Sequence, residues 1–403
     1  MKKSLQTLKG FRDFLPEEAR KRQWLIQKIK SVLELWGFEP LETPTMEYAS
    51  LFEGQIGEDE KLFFKFVDQG GREVALRYDQ TVPTCRVVAQ YRNDIAFPFK
   101  RYQIQQAYRA EKPQKGRYRE FLQIDADIFG VTSPTADAET IALGLDIYRK
   151  LGFKEVKVLI NDRQLLKELP YEAIVAIDKL KKIGKDSVIE DMVKKGIKKD
   201  KAQEYFAFVQ QLKPNKTIQT ILDYLKTLGF PDSWYEFDPT IARSFAYSSG
   251  PIWEIEIPGF STGSVLGGER FDNIITSIAG IAVPATGFGL GFDRTLEAAE
   301  KFGLIPDLST EATILVTVFN EDLLPESIKT ANKLRDKGIA TELFTFSNEK
   351  LSKQLKYAND KKIPYVVIVG PDEVKKNVVT VKNMKTGESM TDSLQTIVAK
   401  ITR

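Results

Sequence analysis

Tyr108–Asp127, YRAEKPQKGRYREFLQIDAD, decides the reading of this 403-residue chain. The run leading into it, Arg101 to Arg109, alternates in period two. Arg101, Gln103, Gln105 and Arg109 fall on one side, and Tyr102, Ile104 and Tyr108 on the other. The alternation resumes further on, with Leu122, Ile124, Ala126 and Ile128 on one face and Gln123, Asp125 and Asp127 opposite. A basic loop containing Pro113 and Gly116 separates the two runs, so we expect an antiparallel strand pair. One face would pack on a core, and the other would carry Arg109, Gln123 and Asp127 toward a ligand. Lys112, Lys115, Arg117 and Arg119 in the loop suit either a cover over phosphates or a solvated basic hairpin.

The chain has no histidine and one cysteine, Cys85. Ser–His–Asp and Cys–His catalysis, imidazole bases and His-ligated metals are thereby excluded, as is an internal disulfide. Cys85 itself reads as a small buried hydrophobe near a helix start. Arg, Lys, carboxylates, hydroxyls and backbone groups remain, with room for a magnesium ion. Nucleotidyl transfer needs that set, because its catalysis is mainly positioning and charge neutralisation. The length suggests roughly two or three domains. A hydrophobic content of 42% and a charged content of 29% are ordinary for a globular protein. No apolar run reaches membrane-spanning length, and MKKSLQTLKGF lacks an apolar centre, so we expect a cytoplasmic protein without membrane segments. A net charge of +3 is too small to indicate nucleic-acid binding by itself.

Glu17–Leu35 has helical periodicity through Trp24, Leu25, Ile29, Val32 and Leu33, stops at Gly37, and leads to a short strand ending at Pro44. Phe63–Val67 and Val74–Arg77 flank Asp68-Gln69-Gly70-Gly71, a hairpin signal. Ala138–Leu151 reads as a helix and Val156–Ile160 as a strand. From Arg163 to Trp234 the texture turns helical and lysine-rich, with Lys179, Lys181, Lys182, Lys194 and Lys195 among others. That face suits RNA or plain solvent. Strand-like patterning returns over Thr240–Ile257, and Leu304–Thr310 is a Pro-containing connector. Beyond it, Ile314–Phe319, Ile339–Phe344 and Tyr365–Val369 alternate with helical patterns at Pro325–Lys337 and Asn348–Lys361. That βαβαβ order predicts a small α/β domain.

Thr286–Arg294, TGFGLGFDR, sets Gly287, Gly289 and Gly291 between Phe288, Leu290 and Phe292. One face of this strand would carry no side chains. Three glycines in register mark either close packing of another element or a flat ligand on the backbone. An adenine ring suits such a floor, with Arg294 at the following helix start in reach of a phosphate.

The stretch Tyr108–Asp127 resembles motif 2 of the class II aminoacyl-tRNA synthetases, and PQKGRYREF resembles the histidyl-tRNA synthetase version of it. TGFGLGFDR resembles motif 3, and the helix and strand ending at Pro44 resemble motif 1. The similarity runs from GFRDFLPE (Gly10–Glu17) to the C-terminal helix. It implies an α+β catalytic domain built on an antiparallel sheet over residues 1–310, with a helical insertion at about 163–235 that approaches the tRNA acceptor arm. It further implies an α/β anticodon-binding domain over 311–403, and a homodimer formed through motif 1. The implied reaction is attack of the histidine carboxylate on the α-phosphorus of ATP, then transfer to the 3′ end of tRNA(His). Magnesium is expected with ATP, and no protein-bound metal.

The resemblance also assigns residues. Arg109 and Arg243 are the expected catalytic groups, Arg109 clamping the α-phosphate and the substrate carboxylate, and Arg243 standing opposite. Glu111 would touch the adenine amino group, Arg117 and Arg294 the β- and γ-phosphates, and Gly287, Gly289 and Gly291 would form the floor. Asp79 and Thr81 match positions that bind the α-ammonium group. Gln123, Asp127, Tyr247 and Ser248, with Arg109 and Arg243, match the amino-acid pocket. Asp127 accepting from an imidazole N–H is chemically sensible.

Two stretches depart from the family pattern. RGLDYYTG stands here as Arg243-Ser244-Phe245-Ala246-Tyr247-Ser248-Ser249-Gly250, with Ala246 for an aspartate and Ser248 for the second tyrosine, which usually contacts the histidine ring. GGGRYD stands as Gly267-Gly268-Glu269-Arg270-Phe271-Asp272, with Glu269 for a glycine. Both touch the side-chain pocket and leave the ATP-binding positions intact. Two other readings compete: another class IIa synthetase, and a non-catalytic paralogue such as the regulatory subunit of ATP phosphoribosyltransferase. PQKGRYREF and the Arg243 block weigh against the first. The retained arginines and C-terminal domain weigh against the second.

Overall fold

A computed structural model describes residues 5–54, 62–113, 118–243, 247–261, 263–346 and 349–401. The chain divides into two compact units. One comprises the residues up to Phe14 with Lys21–Ile305, and the other Leu15–Arg20 with Pro306–Arg403. Among the described residues no helix is long and apolar enough to cross a membrane.

Helix α1 (Pro16–Leu35), which belongs to the first unit from Lys21 onward, carries Leu25, Ile29, Val32 and Leu33 at helical spacing, all buried. Gly37, at φ +75°, turns the chain into β1 (Glu39–Pro40). Strands β2 (Met46–Tyr48), β3 (Lys65–Val67) and β4 (Glu73–Leu76) form a small antiparallel sheet in the order β2-β4-β3. The expected turn joins the last two, where Asp68 accepts from the backbone N–H groups of Gly70 and Arg72, both at 2.9 Å. Helix α2 (Thr81–Gln90) buries Cys85, and burial pushes that thiol's pKa up.

Strands β5 (Phe99–Tyr108) and β6 (Glu120–Phe129) are the antiparallel pair expected from the alternation, with Arg101 opposite Asp127, Gln103 opposite Asp125, and Gln105 opposite Gln123. Helix α3 (Pro134–Leu151) starts four residues before the apolar pattern does. The Ser133 side chain accepts from Thr135 N–H and Pro134 occupies the first turn, so the cap sets the start and not the hydrophobic stripe. Strand β7 (Lys157–Asp162) follows.

The helical stretch then divides. Helices α4 (Tyr171–Ile177), α5 (Leu180–Lys194) and α6 (Lys199–Gln211) share a core of their own, including Ile174, Met192 and Phe206. In contrast, α7 (Lys216–Thr227) buries Ile218, Ile221 and Leu225 in the main core beside α3. Strand β8 (Tyr235–Phe237) pairs with β7, and β9 (Pro251–Glu256), β10 (Leu266–Arg270), α8 (Ile274–Ala279), β11 (Ala285–Gly291) and α9 (Phe292–Lys301) complete the unit. The strand expected over Thr240–Ile257 is confined to Pro251–Glu256. Upstream of it, the Asn161 amide donates to the carbonyls of Pro239 (3.0 Å) and Ile241 (2.8 Å), and Arg163 donates to those of Ala242 and Arg243. Side chains take the carbonyls that a ladder would have used.

The large sheet runs β1-β5-β6-β11-β10-β9-β7-β8 and is antiparallel except at its two outer pairs. Its apolar face, with Ile124, Ala126, Phe288, Leu290 and Ile255, packs under α1, α3, α7 and α9 as one core. Gly144 of α3 comes so close that an added Cβ would meet Ile255 at 2.9 Å. The opposite face is polar.

In the second unit, β12 (Ile314–Val316), β13 (Thr341–Leu343) and β14 (Tyr365–Ile368) alternate with α10 (Leu324–Arg335) and α11 (Leu351–Asp360). They lie parallel in the order β13-β12-β14, as the βαβαβ pattern predicts. Past α12 (Pro371–Lys376), β15 (Val379–Asn383) and β16 (Ser389–Asp392) extend the sheet as an antiparallel hairpin, and α13 (Leu394–Ile401) buries Ile397.

Ile141 of α3 is fully buried in the main core. Ile141→Ala is expected to lower stability by about 2–5 kcal/mol. Val193→Ala, at a position 42% exposed, should stay within about 0.5 kcal/mol. Urea midpoints of the two variants measure the contrast.

Candidate active site

The polar face of the large sheet floors a cleft of about 900 Å³, within the range of small-molecule sites. Its anchor is Arg101 on β5, fully buried and ion-paired with Asp127 directly across on β6. One register step along, Asp125 accepts from the Gln123 amide at 2.8 and 2.9 Å. Burial drives Asp125 up to about 7; Arg101 opposes this and the neighbouring Asp127 adds to it. Burial likewise lifts Asp127 to about 6, with Arg101 opposing and Asp79 adding. Asp79 accepts from Val82 N–H (3.2 Å) at the start of α2, beside Thr81, and burial raises its pKa as well.

The glycines of β11 lie between these carboxylates and β10. Gly287 pairs with Asp127 on one side and Glu269 on the other, and Gly289 pairs with Asp125 and Gly267. A Cβ on Gly287 would collide with the Asp127 carboxylate, and one on Gly289 would meet Asp125 at 3.1 Å. Here the missing side chains make room for acidic groups that lean over the strand. Gly291 closes the series against the Val265 carbonyl.

Three guanidinium groups surround this floor. Arg109, just past β5, lies 4.3 Å from the Tyr78 ring centre and 5.2 Å from that of Phe121, and its Nε donates to the Tyr78 carbonyl at 3.3 Å. Arg294, in the first turn of α9, donates to the Ser264 carbonyl at 2.8 Å. Arg243 has φ +40°, a conformation costing a non-glycine residue about 1–3 kcal/mol. Arg163 fixes it by donating to the Ala242 and Arg243 carbonyls, both at 3.0 Å. The Arg243 guanidinium fills the space over Gly267, 3.4 Å from Glu269 and 3.9 Å from Glu254. Burial alone would lower its pKa, and the two glutamates reverse that.

Glu111 stands on the cleft wall, where Arg119 donates to its carbonyl at 3.0 Å. The N-terminal segment braces the same edge. Gly10 accepts from Arg119 N–H at 2.9 Å, while Arg12 pairs with Asp293 at 3.0 Å and lies 3.3 Å from the Tyr118 ring centre. Tyr247 packs edge-on against Phe271, and the Ser248 hydroxyl donates to Glu269. Arg117 and Ala246 fall outside the described residues.

The cleft thus borders on Asp79, Thr81, Arg109, Glu111, Gln123 and Asp127, as well as Arg243, Tyr247, Arg294 and the three glycines, and Ser248 reaches it through Glu269. Sequence reasoning did not assign Arg101, Asp125, Glu254 or Arg163 to the site. The alternation already put Arg101 and Asp125 on its face; nothing local marks Arg163 or Glu254, which the fold brings in from β7's end and β9. Fixed guanidinium groups around a largely buried floor can stabilise charge developing on phosphoryl oxygens without reorganisation. The buried carboxylates offer acceptors to a cationic or N–H-rich ligand.

Asp125 and Asp127, with pKa values raised above the unfolded ones, contribute most to stability below about pH 4 and lose that contribution as pH rises through about 6 to 7. Removing Arg101 leaves both without their buried cation. Arg101→Gln is expected to cost about 3–5 kcal/mol at pH 8, and markedly less at pH 5, where the carboxyls are protonated. Urea unfolding at the two pH values measures the difference.

A family model described as histidyl-tRNA synthetase matches residues 10–185, and an anticodon-binding-domain model matches residues 312–403. The histidine–tRNA ligase of Cytophaga hutchinsonii is 34% identical, with 98% of each chain covered. That of Wolinella succinogenes is 37% identical over 95% of this chain and 94% of its own. The crystal structure of histidyl-tRNA synthetase from Nostoc sp. PCC 7120 superposes with a TM-score of 0.85 at 26% identity, covering 100% of both chains. With the cleft, the glycine strand and both units all falling inside an end-to-end match, the chain belongs to the histidyl-tRNA synthetase family of class II aminoacyl-tRNA ligases.

Proposed function

We propose that this cleft activates histidine with ATP and passes it to tRNA(His), with Arg109 and Arg243 as the catalytic groups. The observation that carries the reading is the meeting, on one sheet face, of three guanidinium groups and a set of buried carboxylates across a strand of glycines. In the first step a histidine carboxylate oxygen attacks the α-phosphorus, the bond to the bridging oxygen breaks, and pyrophosphate leaves. Arg109 and Arg243 take up the charge that builds on the phosphoryl oxygens. Arg294 and Arg117 bind the outer phosphates, Glu111 the adenine amino group, and Gly289 and Gly291 lie beneath the ring. ATP enters as its magnesium complex. In the second step a terminal ribose hydroxyl of tRNA attacks the activated carbonyl, an ester forms, and AMP leaves with the proton passing to a phosphate oxygen.

Asp79 and Thr81 receive the α-ammonium group. Gln123 and Asp127, with Tyr247 and Ser248, surround the side chain. The C-terminal unit reads the anticodon, and the lysine-rich helices α5 and α6 face the acceptor arm. The protein works in the cytoplasm as a homodimer, in keeping with the prevalence of twofold assemblies.

ATP–pyrophosphate exchange measured with each amino acid in turn should respond to histidine alone. Exchange supported by proline or threonine instead, or by none, would sink the reading. Arg109→Ala is expected to lower kcat/KM for exchange by about 10²–10³-fold. Sedimentation of the full chain should give twice its monomer mass.

A further inference from the structure

Ser248 and Glu269, two described positions at which the chain departs from the family pattern, touch each other. The Ser248 hydroxyl donates to one oxygen of the Glu269 carboxylate. Glu269 is 5% exposed and borders the cleft. It stands on β10 opposite Gly287, which stands opposite Asp127 on β6. Two carboxylates therefore occupy one row of one sheet face, two strand spacings apart (roughly 9.5 Å between Cα atoms). Between them lies only a glycine, over which Asp127 already leans.

The charges around this row do not cancel. Arg101 is shared by Asp127 and Asp125, and Arg243 by Glu269 and Glu254. With Arg109 acting on Asp79, three guanidinium groups thus face five carboxyl groups. Arg163, the other cation acting on Glu269, is engaged with the Ala242 and Arg243 carbonyls. Tyr247 and Asp79 face the same space, and burial keeps the Tyr247 phenol neutral. A carboxylate offers about four acceptor sites. Ser248 and Arg243 approach Glu269 through one oxygen each, so acceptor capacity remains on the cleft side.

We propose that Glu269, oriented by Ser248, is a specificity residue that accepts one N–H of the substrate imidazole while Asp127 accepts the other, so that histidine is bound as its imidazolium. The proposal rests on the histidine-activating reading given above. Neutral imidazole has one N–H and one lone pair, and between two acceptors the lone pair would face an anion. The protonated ring presents an N–H to each. Flanking carboxylates raise the ring's pKa in the complex. Affinity is therefore gained below the free ring's pKa and lost as pH rises through the bound value, provided Asp127 remains ionised.

The test is ATP–pyrophosphate exchange with histidine from about pH 6 to 8.5, run on the wild-type chain, Glu269→Gln and Ser248→Ala. Triazolylalanine, whose ring stays neutral in that range, is tested as an alternative substrate. The wild-type KM for histidine should rise with pH, and triazolylalanine should bind at least about tenfold more weakly than histidine near pH 6.5. Glu269→Gln should raise the histidine KM about ten- to hundredfold, flatten its pH dependence and narrow the gap to triazolylalanine. Ser248→Ala, which keeps the charge, should raise KM by a smaller factor. An unchanged KM and pH profile in Glu269→Gln would overturn the proposal. So would a loss confined to kcat, which would place Glu269 behind Arg243 instead. If Glu269→Gln does not fold, equal wild-type affinity for histidine and triazolylalanine overturns it. Absence of exchange with histidine in the wild-type chain would instead remove the reading on which the proposal rests.

Discussion

The ion pair between Arg101 and Asp127 is the interaction on which the polar half of this fold depends. The large sheet is buried on both faces at its centre, and only one face is apolar. On the other, charges have left water, and a buried charge without a partner costs several kcal/mol. Arg101 meets that condition for two carboxylates at once, which is why Asp125 and Asp127 are raised to about 7 and about 6 and no further. The strand register delivers the pair: with Arg101 opposite Asp127, the rest of β5 and β6 places Gln103 beside Asp125 and Gln105 beside Gln123. One slip of β5 would send Tyr102 into the cleft and Arg101 into the core.

Given that anchor, glycine becomes a device for making room. Asp127 leans over Gly287, Asp125 lies beside Gly289, and Arg243 rests over Gly267. A side chain at Gly287 or Gly267 would displace a charged group from the partner that stabilises it. A bare strand can carry a flat ligand, and in the same sheet it admits large polar side chains from its neighbours. The two roles share out the strand, with carboxylates toward Gly287 and the approach to Arg294 toward Gly291.

Period-two alternation makes the β5–β6 pair legible in the sequence itself, because each residue's face follows from its parity once one face is known to be apolar. It places Arg101 and Asp125 correctly without disclosing their worth, since burial and partnership are properties of the assembled sheet. The parallel core of the C-terminal unit is legible for a similar reason: buried parallel strands are continuous apolar runs. Its hairpin β15–β16 is not, because only Val379 and Val381 of β15 are buried and the partner strand is largely polar. The loop before β9 misleads because Ile241 and Ala242 look strand-like, and the groups that hold it, Asn161 and Arg163, lie some eighty residues earlier. α7 carries the clearest apolar stripe of the lysine-rich stretch, and nothing local says that this stripe belongs to the main core and not to the helices before it. Long-range partnership is what sequence pattern omits, and the loop that carries Arg243 depends on it most.

The absence of histidine sharpens the electrostatics of the whole site. In most proteins an ionisation between pH 6 and 7 is assigned first to an imidazole. This chain has none, so titration in that window belongs to the substrates or to buried carboxyl groups, and burial lifts Asp125 and Asp127 into it. The one imidazole that can enter the cleft is the substrate's own. In the proposed binding mode Asp127, lifted to about 6, meets a ring that titrates in the same range, so binding depends on the protonation of both partners. Affinity then peaks where the carboxylates are ionised and the ring is still charged. Arg101 sets where that overlap lies, because it opposes the burial that lifts Asp127 to about 6.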